Sequence, residues 1–186
     1  MLSEMPGLST LIIGDHSLQA NAMHDPDLDN KELYELTTEQ ATELLHEFLA
    51  KEEAVFRELK VDGIELNYSR DSVVEFFKYV LMKEFDKADV KGSSNNIWYL
   101  RLAYYFGEAL RKASNHLHWA IGRIGSAEEN HPVIAGFEDE TQAPLIAVAR
   151  NILVAVAVDG EPFRRIERAV DAWFRSARYK ADEGSM

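Results

Sequence analysis

The chain has 186 residues, with 20 Lys and Arg against 32 Asp and Glu and a formal net charge of −12. That length suits one domain with an ample core, and the acidic surplus argues against nucleic acid and against anionic membrane surfaces, both of which demand Lys and Arg. The absence of Cys excludes disulfides, thiol nucleophiles, zinc ribbons and iron–sulfur clusters.

Residues 1–36 lack periodicity and read as an irregular N-terminal arm, leaving 37–180 as the core of a single domain over 1–186. The first 30 residues hold no Lys or Arg, so no secretory leader is expected, and the expected location is the cytoplasm. Thr37 with Gln40 fits a capping box, and Ala41, Leu44, Leu45, Phe48, Leu49, Val55, Phe56 and Leu59 trace a helical stripe. A helix is therefore predicted over 38–59, ending at the Asp62-Gly63 turn. Ser69 offers an N-cap for a second helix over 70–85, with Val73, Val74, Phe77, Val80 and Leu81 on its apolar face. Residues 91–96 read as a loop. A third helix over 96–114 is apolar nearly all round, which marks an element packed on several sides. Gly107 inside it implies close approach by another backbone.

Residues 117–123 and 132–137 read as an antiparallel strand pair. The apolar run 145–158 is too short to span a bilayer and reads as a buried helix opened by Pro144 and closed by Asp159-Gly160. Pro162 begins a last helix reaching about residue 179. The predicted fold class is α+β, mostly α: about five helices, with a two-stranded antiparallel β-hairpin between helices three and four.

Charge is unevenly placed. Residues 21–40 carry a net −5, from Asp25, Asp27, Asp29, Glu32, Glu35 and Glu39 against Lys31. Residues 124–143 carry another −5, from Glu128, Glu129, Glu138, Asp139 and Glu140 with no base. The last helix is Arg-rich. Such runs commonly form a solvated face, or else dock a basic protein, since complementary fields speed encounter.

Asp25, Asp27 and Asp29 match the opening of a calcium loop, but Leu36 stands where the bidentate Glu is needed, so that reading fails. His116 and His118 are half of a metal site if they share a strand face, with Glu128, Glu129 and His131 near; the plainer reading is two exposed polar residues. Glu108 in an aromatic-rich helix is costly to bury unpaired. It is read as a brace, either for the helix start at Tyr68-Ser69 or paired with an Arg, in preference to a catalytic acid. No Gly-rich phosphate loop, GxSxG elbow or kinase signature is present, so no catalytic residue and no cofactor are expected.

Three stretches occur in order: Asn67-Tyr68-Ser69-Arg70-Asp71-Ser72, then Tyr105-Phe106-Gly107-Glu108 with Arg111, then Trp119 followed by Pro132. This order resembles a group of small bacterial α+β proteins that read roughly as "DYS..S", "aY.GE..r", "W" and "P", with Asn67 here where Asp is usual. Some of that group look like immunity proteins, which neutralise toxins delivered between competing bacteria. The resemblance spans about residues 64–158 and implies structural roles for Tyr68, Ser69, Gly107, Glu108 and Trp119. The expected function is a non-catalytic inhibitor that occludes a basic toxin or effector through Glu128, Glu129, Glu138, Asp139 and Glu140, with Asp25, Asp27 and Asp29. The alternatives are a metal-dependent enzyme or metal-binding protein using His116 and His118, and an oligomeric scaffold associating through the last helix.

Overall fold

The computed structural model describes residues 33–90 and 93–178. Five helices are present: α1 (Thr38–Glu58), α2 (Arg70–Tyr79), α3 (Ser93–Ala113), α4 (Leu145–Ala157) and α5 (Arg164–Arg178). An antiparallel pair, β1 (His118–Ile121) and β2 (Pro132–Ala135), lies between α3 and α4, as the alternation of apolar and polar segments predicts. The register places Trp119 opposite Ile134 and Ile121 opposite Pro132. Ile134 and Ala143 also exchange backbone hydrogen bonds of 3.1 and 2.8 Å, so the chain after β2 folds back along it.

The helix starts follow from local chemistry. Thr37 Oγ1 accepts from the Gln40 amide, and Gln40 Oε1 accepts from the Thr37 amide, completing the capping box. Ser69 Oγ accepts from the Ser72 amide at the start of α2. The second helix does not run uniformly to residue 85: after Tyr79 it widens into a π-helical turn over Val80–Glu84, closed by the Phe85 amide on the Val80 carbonyl.

The stretch read as a loop over 91–96 also differs, because α3 already begins at Ser93. Asn95 is fully buried there. Its Oδ1 accepts from the Asp86 amide, and its Nδ2 donates to the Asp86 and Asp89 carbonyls. The polar run serves the preceding loop while it is helical itself, which is how buried amides must be satisfied.

α3 is the central element and packs against α1, α2, α4 and α5. Its Leu102, Ala103, Tyr105, Phe106, Ala109 and Leu110 are buried with Val73, Phe76 and Phe77 of α2, Leu145 and Leu153 of α4, and Ile166 and Val170 of α5. Full burial of such side chains is worth about 1.5–3 kcal/mol each before entropy is charged. This explains why α3 is apolar on nearly every side. α1 covers the opposite flank, where Phe48 meets Tyr104 and Trp119 edge-on. No helix among the described residues is long and apolar enough to cross a membrane.

Candidate functional site

Two arrangements involve the residues singled out by sequence. The first is a clasp joining α2, α3 and β1. Tyr68 sits immediately before the α2 cap with φ 60°, a left-handed conformation that is costly for an aromatic residue. Tyr105 of α3 holds it there. The Tyr105 hydroxyl oxygen accepts from the Tyr68 amide at 2.9 Å and shares a hydrogen bond with Ser72 Oγ at 2.8 Å. The two rings stack at 4.8 Å between centroids, and Lys112 Nζ lies 4.7 Å from the Tyr68 centroid. Burial is the main cause that raises the Tyr105 hydroxyl above its ordinary pKa, so it remains protonated and can serve both partners.

One turn further along α3, Glu108 accepts from Trp119 Nε1 at 2.8 Å and pairs with Arg111 at 2.6 Å. Its side chain is 16% exposed. Of the two braces expected for Glu108, the Arg pair is formed, while the start of α2 is tied by the Tyr105 hydroxyl instead. The close neighbour of Gly107 is the indole of Trp119 and not another backbone. Tyr68, Ser69, Gly107, Glu108 and Trp119 therefore sit in one clasp that fixes the helices relative to the hairpin.

The second arrangement is acidic and lies at the loops around the hairpin. Arg123, just past β1, is its hub. Its amide donates to Gln142 Oε1, its Nη2 donates to the Glu140 carbonyl at 2.9 Å, and its guanidinium stands 3.5 Å from the Glu140 carboxylate. Glu129 Oε2 accepts from the Gly125 amide, and Glu129 bridges to Gly122 through the backbone. Glu128 and Glu129 of one loop and Glu138, Asp139 and Glu140 of the other thus gather about a single arginine. Glu138, Asp139 and Glu140 are exposed, and Glu128 and Glu129 are half-buried. Hydrogen bonds from Thr141 hold the Asp139 carboxyl below the usual carboxylate range. Ile124 projects beside Arg123 at 79% exposure, the most exposed large apolar side chain described.

Asp25, Asp27 and Asp29 lie outside the described residues. The described chain starts at Leu33, whose carbonyl, with that of Leu36, accepts from Asn130 Nδ2. Asn130 is buried at φ 62° within the same hairpin loop. It joins the approach to α1 to the acidic loops, and the sequence reading did not single it out.

His116 precedes β1 in a turn and bonds Ser114 Oγ through Nδ1 at 2.9 Å, while His118 opens the strand and is exposed. Among the described residues no three His, Asp or Glu side chains gather as a metal ion would require.

Sequence reading also missed a buried charge between α1 and α3. Glu52 is 5% exposed, and its Oε2 has no hydrogen-bond partner among the described residues; the same holds for Nε of Arg101, whose guanidinium lies 4.8 Å from the Trp98 ring centroid. Burial raises the Glu52 pKa, and the nearby Arg101 and Lys51 charges oppose that only in part. The available signal was spacing, since Glu52 falls four residues from both Phe48 and Phe56, on the apolar stripe.

Comparison with protein-family models, with curated proteins and with solved structures finds no match to this chain.

Proposed function

We propose that this chain is a non-catalytic inhibitor of the immunity type, which binds a basic protein toxin or effector and occludes its cationic surface. The observation that carries this reading is the gathering of Glu128, Glu129, Glu138, Asp139 and Glu140 about Arg123, with Ile124 projecting among them. Clustered negative charge steers a cationic partner and rejects acidic ones. An exposed aliphatic side chain at the centre of such a patch supplies the desolvated anchor that charges alone do not. The hydrogen bonds of Arg123, Asp139 and Glu129 stiffen the loops, which lowers the ordering cost of binding. The clasp between Tyr105 and Trp119 holds the hairpin to the helical body, so the patch is presented on a fixed support.

The test is a growth assay in which the chain is co-expressed with the product of each adjacent gene. A neighbouring product that arrests growth alone should be neutralised by this chain, and the triple reversal of Glu138, Asp139 and Glu140 to Lys should abolish protection while the circular-dichroism spectrum stays unchanged. The absence of any toxic neighbour would overturn the immunity reading. Protection that survives the reversal would remove these loops from the interface.

A further inference from the structure

A hollow of about 650 Å³ lies between the start of α2 and one face of α5, lined among others by Arg70, Asp71, Arg168, Asp171 and Arg175. The spacing of 168, 171 and 175 places them on one side of α5. Arg70 reaches across from α2, donating through Nε to Asp171 at 2.8 Å and through Nη1 to Asp71 at 2.9 Å. Both aspartates are thereby engaged. The Arg70 hydrogen bond is the main cause that holds the Asp171 carboxyl below its usual range, so it stays ionised and Arg70 stays fixed.

Arg168 and Arg175 are left over. Among the described residues neither has a carboxylate within 4.0 Å. Arg175 only donates Nε to the Asp171 backbone carbonyl of its own helix, at 3.3 Å. Both are exposed at the mouth of the hollow. In a chain with twelve more acids than bases, carboxylates are plentiful, yet none is set against these two guanidinia. Phe174, buried at their side, gives the hollow an apolar wall. Guanidinium forks match tetrahedral oxyanions and bind them with paired hydrogen bonds. The volume exceeds that of one phosphate group and falls in the range of small-molecule sites.

We propose that this hollow binds a small multivalent anion of the phosphate type, gripped by Arg168 and Arg175 and backed by the Arg70–Asp171 pair. The site stands apart from the acidic-loop reading, and neither depends on the other.

The test is calorimetric titration of the full chain with pyrophosphate at 150 mM salt, with sodium chloride of equal ionic strength as the blank. Saturable one-to-one binding is expected. The double variant Arg168→Gln/Arg175→Gln should weaken it at least tenfold, and each single variant several-fold. The variant Arg164→Gln/Arg165→Gln, on the same helix but outside the lining, should leave it unchanged. No saturable heat with the unaltered chain would overturn the proposal. So would an equal loss in both double variants, which marks a diffuse field and not a site.

Discussion

The six-membered ring of Trp119 occupies the space that a side chain at Gly107 would need. A Cβ there would fall 2.6 Å from Cη2 and closer still to Cζ2. The indole cannot retreat cheaply, because Nε1 is bonded to Glu108 and Phe48 meets the ring edge-on. Gly107→Ala should therefore destabilise the fold by about 2 kcal/mol, an overpacking cost that outweighs the roughly 1 kcal/mol gained in helix propensity. Removing the obstacle should change the sign. In a Trp119→Leu background the same substitution should be neutral or stabilising by urea denaturation. A similar loss in both backgrounds would show that the indole is not what forbids a side chain at 107.

Tyr105→Phe removes one oxygen that serves two partners. The Tyr68 amide loses its acceptor while the residue remains at φ 60°, and Ser72 Oγ loses a neighbour. A stability loss of about 1–2 kcal/mol is expected, the usual cost of leaving buried polar groups unmatched. Amide exchange at Tyr68 should accelerate more than at residues in α4. Unchanged exchange at Tyr68 would show that this amide does not depend on the hydroxyl.

These two cases also mark what a sequence exposes and what it hides. The Thr37 and Ser69 caps, the periodic stripes and the hairpin between helices three and four are local, and local chemistry predicts them. The start of α3 at Ser93 was hidden because its polar first turn looks like a loop; only the folded chain brings Asn95 onto the Asp86 and Asp89 carbonyls. The acidic segments are visible as composition, but their meeting at Arg123 rests on bonds between residues 17 and 19 apart in irregular chain. The Arg70–Asp171 pair spans 101 residues and leaves no trace in spacing.

Glu52 makes stability depend on pH. Its folded-state pKa is raised above the ordinary 4.5, chiefly by burial. The folded state thus binds this proton more tightly than the unfolded state does. The contribution is fully present below about pH 4.5 and is lost as pH rises through the raised value. Glu52→Gln keeps the shape and removes the charge. It should raise Tm by a few degrees at pH 7 and leave Tm nearly unchanged near pH 4, where both side chains are neutral. A lower Tm for the variant at pH 7 would mean that attraction to Arg101 outweighs the burial cost.

Charge and apolar anchor at the hairpin loops should separate kinetically, using the toxic neighbour defined by the growth assay as partner. Glu138, Asp139 and Glu140 are exposed and engage a basic partner at long range, so their reversal to Lys should lower the association rate at least tenfold at low salt. It should also flatten the dependence of that rate on ionic strength. Ile124 acts only after contact. Ile124→Ala should leave association nearly unchanged and raise dissociation about tenfold, the scale of a lost anchor worth 1–2 kcal/mol. Neither change touches the core, so thermal unfolding should match the unaltered chain. Stopped-flow mixing at two salt concentrations distinguishes the effects. If Ile124→Ala slowed association as much as the charge reversal, or if reversal changed dissociation alone, the division of labour between steering and anchoring would be wrong.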